Sequence, residues 1–258
     1  MIDSKPKIGL NHGLIGAHQM NFEPVGIIRS DFKEKFGVPR QSLMISEARA
    51  IVKLNSETGY REALNHLETF SHIWIIFVFH QANDREWTPT IRPPRIGGPN
   101  RVGVFASRSP HRPNPIGMSA VKLDRIDFEA KGGIEIHISG IDLLDETPVL
   151  DIKPYIPYAD SILEANSGWA EGEIPKFPVT YSADSLAMIE KFTPEYPRLK
   201  ELLTQTLEYD PRPTSQRASM PIENSSNESR EFRFRIFKLD VHWKIINSGI
   251  YVIRVVEI

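Results

Sequence analysis

The sequence predicts a mainly β protein: an antiparallel β barrel or sandwich over roughly the first two thirds, then a small α+β C-terminal domain. Three observations carry this. Short runs rich in β-branched and aromatic residues recur between turn residues from Phe22 to Tyr155. No strand–helix–strand repeat with a glycine fingerprint accompanies them, and GGPNRVG (97–103) lacks the G-x-G-x-x-G spacing, so a dinucleotide fold has little support. Beyond residue 182, two helices, the second with an apolar stripe at helical spacing, precede three more strand-like runs.

In chain order, residues 1–21 form a mixed lead-in, followed by the strand FEPVGIIRS (22–30). DFKEKFGVPR (31–40) is a charged loop in which Pro39 keeps its predecessor extended. Arg49–Leu54 is a strand. TGYREALNHLETF (58–70) offers a short helix with Thr58 as cap and Tyr60, Leu64 and Leu67 on one face. HIWIIFVFH (72–80) is the most apolar strand; it is buried on both faces, or is a barrel wall that also meets another surface. His72 and His80 are eight apart and share a face if the strand is regular. Residues 88–115 are dense in proline, glycine and arginine and hold one short strand, Val102–Ala106. A long irregular stretch inside a domain is functional or disordered, and its central Val and Phe favour function. IGMSAVKLDRIDF (116–128), GIEIHISGIDLLD (133–145) and PVLDIKPY (148–155) complete the β domain, taken as residues 22–165.

Residues 166–182, with Gly168, Gly172, Pro175 and Pro178, suggest a linker. The C-terminal domain, 183–258, opens with helices Ala183–Lys191 and Pro197–Tyr209, the second striped by Leu199, Leu202, Leu203 and Leu207. DPRPTSQR (210–217) and the polar PIENSSNES (221–229) lead to a three-strand meander with a turn at Ser248-Gly249.

The 258 residues carry a formal charge of −2, which argues against wrapping nucleic acid with the whole surface but not against a local basic face. The absence of cysteine excludes disulfides, thiolate metal sites and cysteine nucleophiles. No apolar run approaches the roughly 18 residues of a membrane span, and the first 20 residues do not resemble an export signal. A cytoplasmic location is therefore expected.

Arg92, Arg95, Arg101, Arg108 and Arg112, with His111, fall in a stretch without one acidic residue. Guanidinium forks suit phosphates and carboxylates, and solvated loops usually mix charge signs. Asp142, Asp145, Glu146 and Asp151 form the acidic counterpart; Asp142 ends a strand where a carboxylate can accept ribose hydroxyls or face a cation. Their spacing matches no compact ligand motif, so no metal is expected.

Five segments carry a resemblance: VGIIRSDFKEKFGVPRQ (25–41), FSHIWIIFVFHQ (70–81), RPPRIGG (92–98), GVFASRSPHRPNPIGMS (103–119) and GIDLLDETPVLDIKPYIPYAD (140–160). With DPRP (210–213), they resemble the TsaA/TrmO-like family of S-adenosylmethionine-dependent tRNA methyltransferases. The resemblance implies an antiparallel β barrel that builds its cofactor site together with a dimer partner. It implies methylation of N6 of threonylcarbamoyladenosine at position 37 of threonine tRNA. By the same resemblance the cofactor site comprises Pro39, Arg40, Gln41, His80, Gln81, Arg108, Met118 and the run Ser139, Gly140, Ile141, Asp142. Arg40 or Arg108 suits the cofactor carboxylate, Asp142 its ribose diol or sulfonium, and Met118 its adenine. The acceptor nitrogen carries a carbonyl substituent, so loss of its proton needs help. Asp142, Asp151, Tyr155 and His111 all remain candidates. Arg92, Arg95, Arg101 and Arg112, with Asn114 and Lys153, are the expected contacts to the anticodon arm. Arg233 and Arg235 share a strand face and, with Lys238 and Lys244, extend that contact or simply cover a barrel edge. The alternative is a tRNA-interaction or regulatory module that holds the cofactor without turnover. A hydrolytic reading lacks a nucleophile in a tight glycine elbow.

Overall fold

Six strands close into an antiparallel barrel in the computed structural model, which describes residues 8–9, 21–35, 37–56, 58–82, 86–93, 100–224 and 230–258. They are β1 (Gly26–Ser30), β2 (Arg49–Leu54), β3 (His72–Val78), β4 (Ile116–Asp127), β5 (Glu135–Ser139) and β6 (Pro148–Pro154). The order around the barrel is β6-β1-β2-β5-β4-β3, and β3 pairs with β6 to close it. Successive side chains alternate across each strand, which sends Ile28, Val52, Ile73, Ile75, Val121, Ile136 and Ile138 to the fully buried interior. Bulges between Leu123 and Arg125 and between Val149 and Asp151 supply the local bends that closure needs.

The C-terminal part is a four-stranded sheet with helices against it. Its elements are β7 (Val179–Tyr181), α1 (Ala183–Phe192), α2 (Leu199–Glu208), α3 (Thr214–Ser219), β8 (Phe232–Ile236), β9 (Leu239–Ile246) and β10 (Gly249–Glu257). Strand order is β7-β10-β9-β8, with β7 parallel to β10 and the other pairs antiparallel. The Ser182 hydroxyl starts α1 by accepting the Ser185 amide at 3.0 Å. The leucine stripe of α2 buries Leu199, Leu203 and Leu207, and the sheet buries Val241, Trp243, Ile245 and Val252. The fold is thus mainly β with a closed six-stranded barrel and a smaller α+β part, as the sequence predicts.

Several local expectations change. The helix after residue 58 is one turn, Tyr60–Ala63; Gly59, in a left-handed conformation, precedes it and no side chain caps it, so Thr58 is not the cap. Leu67 instead joins a separate 3₁₀ turn, Leu67–Thr69. In β3 burial alternates: Ile73, Ile75 and Phe77 point inward while Trp74 and Ile76 are only half-buried, which is the barrel-wall reading rather than burial on both faces. His80 lies past the end of β3 in a 3₁₀ turn, so strand parity does not apply to it. Val102–Ala106 splits into a two-residue strand and a 3₁₀ turn. The stretch 166–182 contains β7, because Val179–Tyr181 finds an open edge of the C-terminal sheet. The last hairpin turns at Asn247-Ser248, both with positive φ, and Gly249 begins β10.

The loop after β1 joins the two parts. Gly37 has φ +92, and a Cβ there would lie 2.9 Å from the Phe234 ring, so glycine serves both backbone and packing. Glu34 accepts the Arg235 amide at 3.0 Å, and Arg198 Nη2 meets Glu47 at 2.9 Å. These contacts hold the DPRP turn, residues 210–213, beside one barrel end.

Candidate active site

That barrel end and the DPRP turn enclose a groove of about 990 Å³. It is near the upper end of the range for small-molecule sites, roughly 300–1,000 Å³, and so has room for more than one ligand group. Its floor depends on a close approach between β3 and β4. A Cβ on Gly117 would sit 2.3 Å from Phe77 Cζ, and the Phe77 ring is in turn packed edge-on against Phe79 at 5.1 Å.

Asp142 leaves the end of β5 and its carboxylate turns into the groove. Ser119 Oγ donates to Asp142 Oδ1 at 2.6 Å. Burial pushes the Asp142 carboxyl above its ordinary value; the Ser119 hydroxyl, its own amide, the Arg108 charge and the Ser42 amide oppose that rise without cancelling it. Arg108 Nη1 donates to Gln41 Oε1 at 2.5 Å, and Gln41 Nε2 donates to the Arg40 carbonyl at 2.6 Å. Arg40 Nη2 donates to the Tyr209 carbonyl at 3.2 Å and the Asp210 carbonyl at 2.5 Å. Burial lowers the His80 pKa, with Asp145 opposing, so its imidazole is neutral near pH 7.

The groove gathers Pro39, Arg40, Gln41, His80, Gln81, Arg108, Met118 and Asp142 with His111, Arg112 and Asn114. Other expected site residues lie outside its lining. Ser139 Oγ donates to Asp124 at 3.0 Å, and the Gly140 and Ile141 amides donate to the Ala48 carbonyl, which fixes the run that leads into Asp142. Gly140, at φ +72, lets the Leu43 amide reach its carbonyl at 2.7 Å. Asp151 and Tyr155 are not among the groove's lining residues, although Asp151 is in register with Ile76, which Met118 flanks on its other side. Asp151 pairs with Lys153 at 2.6 Å, and Tyr155 packs against Trp74 and His72. Arg101 is used to clasp Thr90 at 2.6 and 2.7 Å, and Arg92 is exposed just after the short strand Thr90–Ile91. Arg95 lies outside the described residues.

Residues that sequence reasoning did not single out also build the site: Ser119, Lys35, Phe105, Arg212 and Arg217. The available signal was the Asp-x-Arg spacing within DPRP, which allows one turn to hold both charges. Among the described lining residues Lys35, Arg40, Arg108, Arg112, Arg212 and Arg217 face a single acid, Asp142. The groove is therefore electropositive, with one carboxylate set into it. Among the described residues no group of three or more His, Cys, Asp or Glu is arranged to hold a metal ion, and no helix is long and apolar enough to cross a membrane.

A closed β barrel with a positive, partly apolar groove at its end is suited to a small molecule with anionic groups and is distinct from doubly wound nucleotide folds. Residues 27–161 match the tRNA-methyltransferase O N-terminal domain and residues 174–258 the TrmO C-terminal domain, so the chain belongs to the tRNA-methyltransferase O family. It is 37% identical to the tRNA (adenine(37)-N6)-methyltransferase of Escherichia coli, over 88% of this chain and 94% of that one. It is 42% identical to a putative S-adenosylmethionine-dependent methyltransferase, RcsF, of Pseudomonas aeruginosa, over 85% and 90% of the two chains. The crystal structure of TrmO from Pseudomonas aeruginosa superposes with a TM-score of 0.71 at 37% identity, covering 91% of this chain and 98% of that one.

Proposed function

We propose that this chain transfers a methyl group from S-adenosylmethionine to N6 of threonylcarbamoyladenosine at position 37 of threonine tRNA. The observation that carries the reading is convergence: loop 39–41, turn 80–81, segment 108–118 and Asp142, far apart in sequence, meet in one groove. The family match along both parts of the chain and the names of its relatives support it.

The groove's chemistry fits the cofactor. S-adenosylmethionine, when bound, supplies an electrophilic methyl carbon on a sulfonium for in-line displacement by N6. Met118 offers an apolar platform for an adenine, and Asp142 an acceptor for a ribose diol or a partner for a cation. Arg40 turns its Nη2 toward the DPRP turn, where it meets two carbonyls, so Arg108 is the partner we assign to the cofactor carboxylate. Pro39, Gln41, His80 and Gln81 complete the wall. For the N6 proton we favour Asp142, because a carboxylate made more basic by burial is a better acceptor; His111 lines the same groove and is the second candidate. Asp151 and Tyr155 do not line the groove and are the less favoured candidates. Holding the reacting atoms in line contributes much of the rate.

For tRNA, Arg112 and Asn114 at the groove are the favoured contacts, with Arg92 and Arg101 on the adjoining hairpin and Lys153 more distant. We assign the protein to a homodimer, because Phe105 (77% exposed) and Met118 (56% exposed) leave apolar surface at the groove. We assign it to the cytoplasm, where tRNA is matured; recovery in a salt-washed membrane pellet would contradict this.

The test incubates the protein and labelled cofactor with total tRNA from cells that have or lack the threonylcarbamoyl modification. Nucleoside mass spectrometry should find a new methyl on the modified adenosine of threonine tRNA in the first pool alone. Equal methylation of both pools refutes the substrate. Binding of cofactor without methylation of either pool favours a module without turnover.

A further inference from the structure

Three of the groove's guanidinium groups, those of Arg40, Arg212 and Arg217, belong to its DPRP end. Arg212 is 4% exposed; its Nε and Nη2 donate to Asp210 at 2.7 Å each, while its Nη1 is buried without a hydrogen-bond partner. Arg40 approaches from the barrel loop. Its pKa is pushed down to about 10, by burial first and then by the Arg217 charge, with Asp210 opposing. Burial also lowers the Arg217 pKa, Asp210 opposing and Arg212 adding to the fall. All three guanidinium side chains line the groove, whereas Asp210 is absent from its lining. Mutually repelling, partly desolvated guanidiniums gain most from an anion that docks between them.

We propose that Arg40, Arg212 and Arg217 form a subsite for the free carboxylate of the threonyl group on the target base, which lets the protein select modified over unmodified adenosine. This rests on the functional reading above. Threonine is joined to the base through its amino group, so its carboxylate is free and enters the groove with N6. A carboxylate taken out of water needs paired donors, and planar forks match it bidentately. The buried Arg212 Nη1, left unpaired, disfavours a base that lacks the group. A backbone phosphate is common to every RNA and provides no such selection.

The test uses anticodon stem-loops carrying either threonylcarbamoyladenosine or its threoninamide analogue, in which the carboxylate is a neutral amide. Wild-type protein should lose about ten- to a hundredfold in kcat/KM on the amide. Arg217→Gln should lose similarly on the acid and become nearly indifferent to the exchange of acid for amide. Equal use of acid and amide by the wild type overturns the proposal. An Arg217→Gln defect of the same size on both RNAs also overturns it, because a structural or phosphate-binding role predicts that pattern. Calorimetry of the two free nucleosides, with S-adenosylhomocysteine present, reads the subsite without turnover. Preference for the acid there supports the subsite even if no methyl is transferred, and equal binding overturns it independently of the reaction.

Discussion

Asparagine at position 210 isolates the buried pair that seats the DPRP turn. The Arg212 and Asp210 side chains are 1% and 6% exposed and meet through two contacts of 2.7 Å. Asparagine preserves the shape and tolerates the φ of +50 at this position. It keeps an acceptor for one guanidinium nitrogen, presents an N–H to the other, and removes the counter-charge. Arginine does not escape by losing a proton, and Arg212 Nη1 is already buried without a partner. Removing one member of a buried pair costs about 3–5 kcal/mol. At roughly 2–4 °C per kcal/mol for a chain near this size, Asp210→Asn should lower the melting midpoint by about 6–20 °C. Scanning calorimetry at neutral pH measures it. The double variant Asp210→Asn/Arg212→Met removes both charges and keeps an unbranched apolar stem against Phe232, over which Arg212 now lies at 5.1 Å; it should recover most of the loss. A single-variant loss under about 1 kcal/mol, typical of exposed pairs, refutes the reasoning. So does a double variant no more stable than the single.

Gly117→Ala should destabilise by about 1–3 kcal/mol, because its Cβ meets the packed Phe77 ring, and a compensating Phe77→Leu should restore part of that in urea melts. Asp142→Asn should abolish methyl transfer yet raise the melting midpoint at neutral pH. Burial raises the folded-state pKa above 3.8, so the charged carboxylate costs stability above that folded pKa. The gain should shrink as pH falls and vanish below the unfolded value; a gain independent of pH would contradict this origin. Phe105→Ser should weaken self-association in sedimentation velocity if its exposed ring is covered by a second copy, and an unchanged constant would exclude it from the contact.

Strands were legible where alternation runs long enough to read. β2 has the bounds that its β-branched residues suggest, Arg49–Leu54. Closure was not legible from those residues, since barrel and sandwich differ in whether β3 pairs with β6, a contact between strands far apart in sequence. β7 escaped notice because three residues among glycines and prolines carry no period, and their strand character comes from the edge they join. The groove residues Arg108, His80 and Asp142 could be named because they sit in dense motifs. Ser119 could not, because a strand serine acquires its role only once the register brings it beside Asp142. Gly117 likewise matters through Phe77, its partner across the β3–β4 ladder. Arg212 becomes a buried cation only after Phe232 and the C-terminal sheet are built around it.

Two carboxylates near the groove, Asp210 and Asp142, are held in different ways, and the difference bears on the proposed reaction. Asp210 receives two guanidinium nitrogens, which fix its carboxylate in place. Asp142 receives a hydroxyl, and Arg108 reaches it through its field while donating Nη1 to Gln41. A directly bonded guanidinium would pull the Asp142 pKa down and make it a poorer proton acceptor. A neutral hydroxyl fixes the direction of the carboxylate with a smaller loss of basicity. Gln41 thus has a defined task under this mechanism. By engaging Arg108 it keeps a cation close enough to attract an anionic ligand group, yet off the one acid whose basicity the chemistry needs.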